Sequence, residues 1–291
     1  MTPPTLRAAL AQMCSADTHA ANIATVTRLA EQAAGAGAEL LALPEVAGLM
    51  NRAADPAKAQ VVAADADPFI AACRELAAKH GLWLHTGSTP VLGPDGRYLN
   101  HSTLIDDAGG IVAEYDKIHL FDVTLEGQEP IGESKRFAPG MRAVVADTPW
   151  GPFGLSICYD LRFAYLYRAY AQAGAVLMFI PAAFTVPTGR AHWEVLLRAR
   201  AIETGAFVLA AAQGGLHADG RTTYGHALAV GPWGEVMADL GEAAPALRVI
   251  DLDLGAVARA RAQIPAWGIA APDRLDPVRI RPKADASGQQ G

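Results

Sequence analysis

The chain has 291 residues, 51% of them hydrophobic and only 19% charged, which excludes a disordered chain and leaves enough apolar side chain for a core without disulfide or metal staples. A formal charge of −6, with no run of Lys and Arg, leaves no basic stripe for phosphate neutralisation, so no nucleic-acid partner is expected. The opening Met1-Thr-Pro-Pro-Thr-Leu-Arg-Ala8 has no basic-then-apolar leader and no stretch is apolar enough to span a bilayer, so a cytoplasmic protein with no membrane partner is expected.

Short apolar runs bounded by turn residues alternate with helical patterns along the whole chain. The first strand is predicted at Leu6 to Met13, followed by a helix at about 18–36 and a strand at Leu40 to Leu43. A second helix at 68–80 opens on Asp67-Pro68, an acceptor cap before a residue already set for the first turn, and ends at Gly81. Strands follow at Leu82 to Thr86, Thr103 to Ile105 with Ile111 to Tyr115, and Ala143 to Ala146 with Gly154 to Cys158. Then come a helix at 162–173, a strand at Ala175 to Ile180, a helix at 190–204 and a strand at Phe207 to Ala212. Ala227 to Val230 with Val236 to Asp239, Leu247 to Leu252 and a helix at 254–262 complete the series. Three pairs are hairpins, turning at Asp106–Gly110, Pro149–Pro152 and Gly231–Gly234, where Gly or Pro supplies the backbone angles of a tight reversal. Hairpins mixed with strand–helix steps predict an α/β fold with mixed sheets, two of them packed together with helices outside. One domain is expected over 1–280, with 281–291 a disordered tail rich in Ala, Ser, Gly and Gln.

The three cysteines, Cys14, Cys73 and Cys158, are odd in number and far apart, as expected of reduced thiols. Cys14 and Cys73 read as core. Cys158 closes Gly154-Leu-Ser-Ile-Cys158 where a strand pattern gives way to a helical one, and a helix N-terminus there stabilises a thiolate and offers N–H groups to an oxyanion. Glu45 follows Leu40-Leu-Ala-Leu-Pro44 at the C-terminal end of a strand, and Lys117 follows the strand ending at Tyr115. Taken singly they read as a buried thiol, a loop acid and a surface lysine. Brought together they supply a nucleophile, its base and a cation for a developing oxyanion.

Leu41-Ala-Leu-Pro-Glu45, Tyr115-Asp-Lys-Ile-His-Leu-Phe-Asp122 and Leu155-Ser-Ile-Cys-Tyr-Asp-Leu-Arg-Phe163, in this order, resemble the three signature segments of the nitrilase superfamily of carbon–nitrogen hydrolases. The resemblance implies a Glu45–Lys117–Cys158 triad on a four-layer α-β-β-α sandwich whose subunits pair through helices, so a homodimer or higher homo-oligomer is expected. It implies a second glutamate at Glu133, in Gly132-Glu-Ser-Lys-Arg-Phe-Ala-Pro-Gly140, to hold Lys117 and orient the substrate amide; Glu126 and Glu129 are weaker rivals in the same stretch. The oxyanion would lie against Lys117 and the Tyr159 backbone N–H, with no metal and no organic cofactor.

Within the superfamily, the segments from His192 to Glu203, Ala210 to Gln213 and Tyr224 to Gly234 are similar to the deaminated glutathione amidase branch. That similarity implies a small-molecule amide substrate, deaminated glutathione, cleaved to 2-oxoglutarate and cysteinylglycine. Arg162, Thr188 and His192 would bind it, the first two at its 2-oxo acid end, where a guanidinium fork suits a carboxylate. The alternatives are an omega-amidase acting on 2-oxoglutaramate or another small amide and, more distantly, a non-catalytic binding protein on the same fold. Ala164-Tyr165 and Arg190 depart from the pattern of the family and are expected to alter the pocket near its entrance. His192-Trp193-Glu194 has half of a deaminase zinc motif, but no Pro-Cys-x-x-Cys follows it.

Overall fold

The computed structural model describes residues 5–51, 59–124 and 130–269; the expected tail at 281–291 and the boundary at 280 lie outside them. In chain order the elements are β1 (Thr5–Met13), α1 (His19–Gly35), β2 (Leu40–Ala42), α2 (Pro68–His80), β3 (Trp83–His85), β4 (Thr89–Leu92), β5 (Tyr98–Ile105), β6 (Ile111–Asp116), β7 (Asp122–Val123) and β8 (Ile131–Gly132). They continue with β9 (Val144–Thr148), β10 (Gly151–Leu155), α3 (Ala164–Gln172), β11 (Leu177–Phe179), α4 (Val186–Thr204), β12 (Phe207–Ala210), β13 (Ala212–Leu216), β14 (Thr222–Tyr224), β15 (Leu228–Val230), β16 (Val236–Asp239), β17 (Ala246–Asp253) and α5 (Gly255–Gln263).

A nine-stranded sheet runs β14-β13-β1-β2-β3-β5-β4, with β17 also on β1 and β6 on β5; a six-stranded sheet runs β16-β15-β12-β11-β10-β9. Both are mixed. β1, β2 and β3 are parallel neighbours, as are β10, β11 and β12, whereas β17, β5 and the hairpin partners are antiparallel. Alternation along β1 divides the core in two. Leu6, Ala8 and Leu10 belong with the six-stranded sheet and the helices beyond it, while Ala9, Ala11 and Met13 pack with α1 and α2. Leu40 and Ala42 against Leu41 and Leu43 repeat the division on β2. The layers are therefore α1 and α2, the first sheet, the second sheet, then α3 and α4: the expected α-β-β-α sandwich. Between the sheets the His85 ring stacks on Phe179 at 4.1 Å and 7°. Burial pushes that imidazole down to about 3, so it packs as a neutral ring whose Nε2 lies 2.9 Å from Ser102 Oγ.

All three predicted hairpins are present, as β5–β6, β9–β10 and β15–β16. Four differences have physical causes. The single strand expected at Phe207 to Ala212 is two: β12 pairs in the six-stranded sheet and β13 in the nine-stranded one, so the chain changes sheets at Ala211, and a continuous apolar run carries no period to mark the change. The helix expected from 162 is a 3-10 turn, Cys158–Arg162, and then α3, separated by the non-helical Phe163 (φ −106°, ψ 85°). α4 begins at Val186 rather than 190, with Pro187 in its first turn, where the missing N–H costs nothing. β4 went unpredicted because Pro90 argues against a strand; it is tolerated because β4 lies at the end of the sheet order.

The loop after β2 lies beneath Gly87, whose φ is +67° and where an added Cβ would come within 1.9 Å of the Pro44 carbonyl oxygen. Gly87→Ala should therefore lower stability by about 2–4 kcal/mol, combining a strained φ with overpacking, whereas Gly35→Ala, with open space around it, should not. Denaturant midpoints of the two variants check the contrast.

Candidate active site

The C-terminal end of β2 delivers Glu45, the end of β6 delivers Lys117, and the end of β10 delivers Cys158. The structure brings these three together in the seam between the sheets, 5%, 2% and 7% exposed. Lys117 Nζ donates to Glu45 Oε1 at 2.8 Å and to both oxygens of Glu133 at 2.9 and 3.1 Å. The Cys158 thiol faces the Glu45 carboxylate, whose Oε2 accepts the Ala183 N–H at 2.8 Å. Glu133 stands on a 3-10 turn, Glu133–Lys135, and is fixed by the Phe121 N–H at 2.6 Å. Glu126 and Glu129 lie outside the described residues.

Both turns that present the chemistry are strained. Cys158 has φ +52° and Val46, next to Glu45, has φ +51°; a β-branched residue there is costly by roughly 1–3 kcal/mol and persists only where its surroundings dictate it. The Cys158 N–H is held by the Pro181 carbonyl at 2.9 Å and the Val46 N–H by Ser88 Oγ at 2.8 Å. Tyr159, second in its 3-10 turn, carries one of the N–H groups that a helix start leaves without an internal acceptor.

Protonation states follow from burial and charge. Burial alone raises the Glu45 carboxyl, but the Lys117 ammonium and hydrogen bonds from Cys158, Lys117 and Asn100 outweigh it and leave the group below its ordinary 4.5. Burial and then the Glu45 charge push the Cys158 thiol well above 9.0, against the pull of Lys117. Burial lowers the Lys117 ammonium, yet Glu133, Glu45 and Cys158 together lift it well above 10.5. The resting cluster is carboxylate, thiol and ammonium: an ionised acid facing a thiol that still holds its proton.

A cavity of about 230 Å³ opens on this cluster, lined by Tyr159, Phe121, Phe184 and Thr188 and by Arg136, Arg162 and Arg221. Arg162 lies over the Tyr159 and Phe184 rings at 5.7 and 5.6 Å. His192 is exposed outside the lining and reaches the cavity only through Arg162, its Nδ1 3.3 Å from Nη1. Tyr165 and Arg190 are also exposed and absent from the lining, so they do not shape this pocket; Tyr165 instead meets His119 through its hydroxyl. Glu194 and Arg198 form the expected exposed i,i+4 pair at 3.4 Å. Cys73 is buried in the core and Cys14 is half-buried, away from the lining.

Three supporting residues were not singled out from sequence. Asn100 Nδ2 donates to Glu45 at 2.9 Å and Glu133 at 3.4 Å, while its buried Oδ1 meets no hydrogen-bond partner among the described residues. Gln213 Nε2 donates to the Glu45 carbonyl at 2.8 Å and to Ser15 Oγ at 2.7 Å. Asp160, fully buried, accepts from the Ile157 N–H and the Tyr115 hydroxyl at one oxygen and from the His119 N–H at the other, at 2.8, 2.7 and 3.0 Å. It thereby ties the strand bearing Lys117 to the turn bearing Cys158. Its signal was available, since an acid three residues after a helix's first cap position is a capping-box spacing; Asn100 inside a strand pattern gives none.

A strained thiol paired with a buried carboxylate and ammonium, at the strand ends of a four-layer sandwich, defines a cysteine-dependent hydrolase. The chain belongs to the carbon-nitrogen hydrolase family, whose sequence model matches residues 7–262. It is 40% identical over 272 residues to the human protein named deaminated glutathione amidase, covering 91% of this chain and 82% of that one. It is also 40% identical to the protein of that name from Yersinia enterocolitica, covering 83% and 85%. Among solved structures it is similar to the Caenorhabditis elegans NitFhit protein (TM-score 0.83, 36% identity, 92% of this chain and 65% of that one) and to an amidase from Nesterenkonia sp. (TM-score 0.73, 30% identity, 89% and 94%). It is an amidase of that family.

Any reaction run by this cluster should lose kcat/KM on the acid side with a midpoint below pH 4.5, as Glu45 takes up a proton, and show no alkaline fall before pH 9. Stability follows the same signs: the depressed Glu45 contributes above its ordinary value and is lost as pH falls through its folded one, while the raised Lys117 contributes below its ordinary value and is lost only at strongly alkaline pH. A pH–rate profile checks this, and an alkaline half-fall near about pH 8 would contradict it.

Proposed function

We propose that this amidase hydrolyses deaminated glutathione, the N-(4-carboxy-4-oxobutanoyl) form of cysteinylglycine, to 2-oxoglutarate and cysteinylglycine. The observation that carries the chemistry is the Cys158 thiol held against Glu45, which itself touches Lys117. Support for the substrate comes from the relatives that bear that name and from Arg162 and Thr188 in the cavity wall, where a guanidinium and a hydroxyl suit a 2-oxo acid.

In this mechanism Glu45 accepts the thiol proton as Cys158 Sγ attacks the amide carbonyl carbon. Lys117 and the Tyr159 N–H stabilise the tetrahedral oxyanion, the group whose charge appears only on the way to the transition state. Glu133 fixes Lys117 and faces the substrate amide. Glu45 gives its proton to the leaving nitrogen as the C–N bond breaks, leaving a thioester. Glu45 then takes a proton from water, which adds to the thioester; the acid departs and Cys158 regains its proton. The intact set of Glu45, Lys117, Glu133 and Cys158 favours an enzyme over a binding protein with an idle site. An omega-amidase would share every step and differ only in releasing ammonia.

Cys158→Ala should abolish turnover with the fold unchanged by circular dichroism. Assayed for 2-oxoglutarate, the wild type should prefer deaminated glutathione to 2-oxoglutaramate; the reverse preference would move the chain to the omega-amidase reading. We also place the expected subunit contact on α4, where Val195 and Ile202 are 69% and 53% exposed beside Trp233 at 56%, an apolar face of the kind that association covers. Ile202→Glu should shift the size-exclusion mass to that of a monomer, and an unchanged mass would refute this placement.

A further inference from the structure

Arg162 differs from its neighbouring arginines in what holds it. Arg200, whose Nε reaches the Leu161 carbonyl, pairs with Glu203 at 2.7 Å, and Arg221 pairs with Asp219 at 2.5 Å, so each has its anion within the protein. Arg162, half-buried at the end of the Cys158–Arg162 turn, pairs with no carboxylate among the described residues. It rests on neutral groups instead: the ring of Tyr159 at 5.7 Å, the ring of Phe184 at 5.6 Å, and His192, whose Nδ1 lies 3.3 and 3.4 Å from Nη1 and Nη2. α4 sets two of these contacts, since it carries His192 and, beside it, the buried Trp193, which packs on Phe184 at 4.7 Å. Thr188, in the cavity wall, stands four residues before His192 on the same helix and so on the same face.

We infer that His192, which does not line the cavity, is a positioning residue that sets the Arg162 guanidinium for the carboxylate of the acyl half. This rests on the substrate reading above, and it adds the group through which the arginine of that reading is oriented. A guanidinium only donates hydrogen bonds, so Nδ1 accepts from both terminal nitrogens and the ring proton sits on Nε2. One N–H of each terminal nitrogen is thereby turned to the imidazole. The Nε–H and the remaining N–H beside it form the side-on pair that meets a carboxylate with two parallel hydrogen bonds. A glutamate in place of His192 would orient the guanidinium as well, but it would also satisfy its charge. An imidazole and two aromatic faces hold the group and leave that charge to the substrate. The rotamer freedom of the arginine is given up on folding and is not lost again on binding.

The experiment measures kcat and KM for deaminated glutathione on the wild type, His192→Leu, His192→Asn, Arg162→Gln and the double variant of His192→Leu with Arg162→Gln. Asparagine carries an acceptor oxygen where histidine carries Nδ1, and leucine carries a methyl group there. His192 is exposed, so neither substitution disturbs the core, and circular dichroism verifies the fold. His192→Leu should raise KM by about threefold to tenfold with a smaller change in kcat, and His192→Asn should stay within about twofold of the wild type. Arg162→Gln should raise KM by about tenfold or more, and in that background His192→Leu should add nothing, because it acts only through the guanidinium. A wild-type KM in His192→Leu, equal losses in the leucine and asparagine variants, or an undiminished effect of His192→Leu in the Arg162→Gln background would each overturn the inference and leave the substrate reading standing. An unchanged KM in Arg162→Gln would overturn the assignment of Arg162 to the acid end, and the inference with it. The acid end is common to deaminated glutathione and 2-oxoglutaramate, so the comparison is made on whichever the wild type uses faster; turnover of neither would overturn the substrate reading and the inference together.

Discussion

The buried ammonium of Lys117 is the constraint on which the site is built. Taking such a group out of water costs several kcal/mol, and only close anionic partners offset it. Here three N–O distances between 2.8 and 3.1 Å, to two carboxylates from different segments, do so. Removing either glutamate would leave charge buried without its match, at a cost of roughly 3–5 kcal/mol, whereas an apolar replacement of the whole cluster could be as stable or more so. The cluster is therefore not explained by stability. Its electrostatics instead hold a proton on the thiol, because Glu45 is kept ionised by Lys117 while Cys158, facing that same carboxylate, is kept neutral.

The remaining polar core serves to fix that geometry. Asp160 joins the turn before Cys158 to Tyr115 and His119 on either side of Lys117. Gln213, the second residue of β13, reaches back to the Glu45 backbone and to Ser15 after β1. Asn100, on β5, bridges the two glutamates. Each is a buried polar group whose hydrogen bonds would be expensive to leave unmade, so each specifies one arrangement of the loops it joins. The positive φ values at Val46 and Cys158 are the backbone counterpart, strain that these bonds hold in place.

Much of this was legible in the sequence. The apolar run of Leu6 to Met13, the Gly- and Pro-bearing turns of three hairpins and the Asp67-Pro68 helix start each acted locally, and each read correctly. Glu45, Lys117 and Cys158 could be located at strand ends, but nothing in their spacing says that they meet; their convergence is a tertiary fact that only a resemblance to known proteins could anticipate. The change of sheet at Ala211 was invisible because an apolar run buried on both faces has no period. His192 and Tyr165 looked like pocket residues from their neighbours in sequence, but the pitch of α4 and the interruption at Phe163 turn them outward.

The division of the site between two sheets has a mechanical consequence. Glu45 and Lys117 are carried by one sheet and Cys158 by the other, so the thickness of the packed layer between them, including the flat stack of His85 on Phe179, sets the reach from the carboxylate to the thiol. The interior acts as a gauge block. A proton transfer tolerates displacements of only a fraction of an ångström, far less than a core tolerates before it unfolds. Substitutions that thin or thicken this layer will thus register as lost rate well before they register as lost stability.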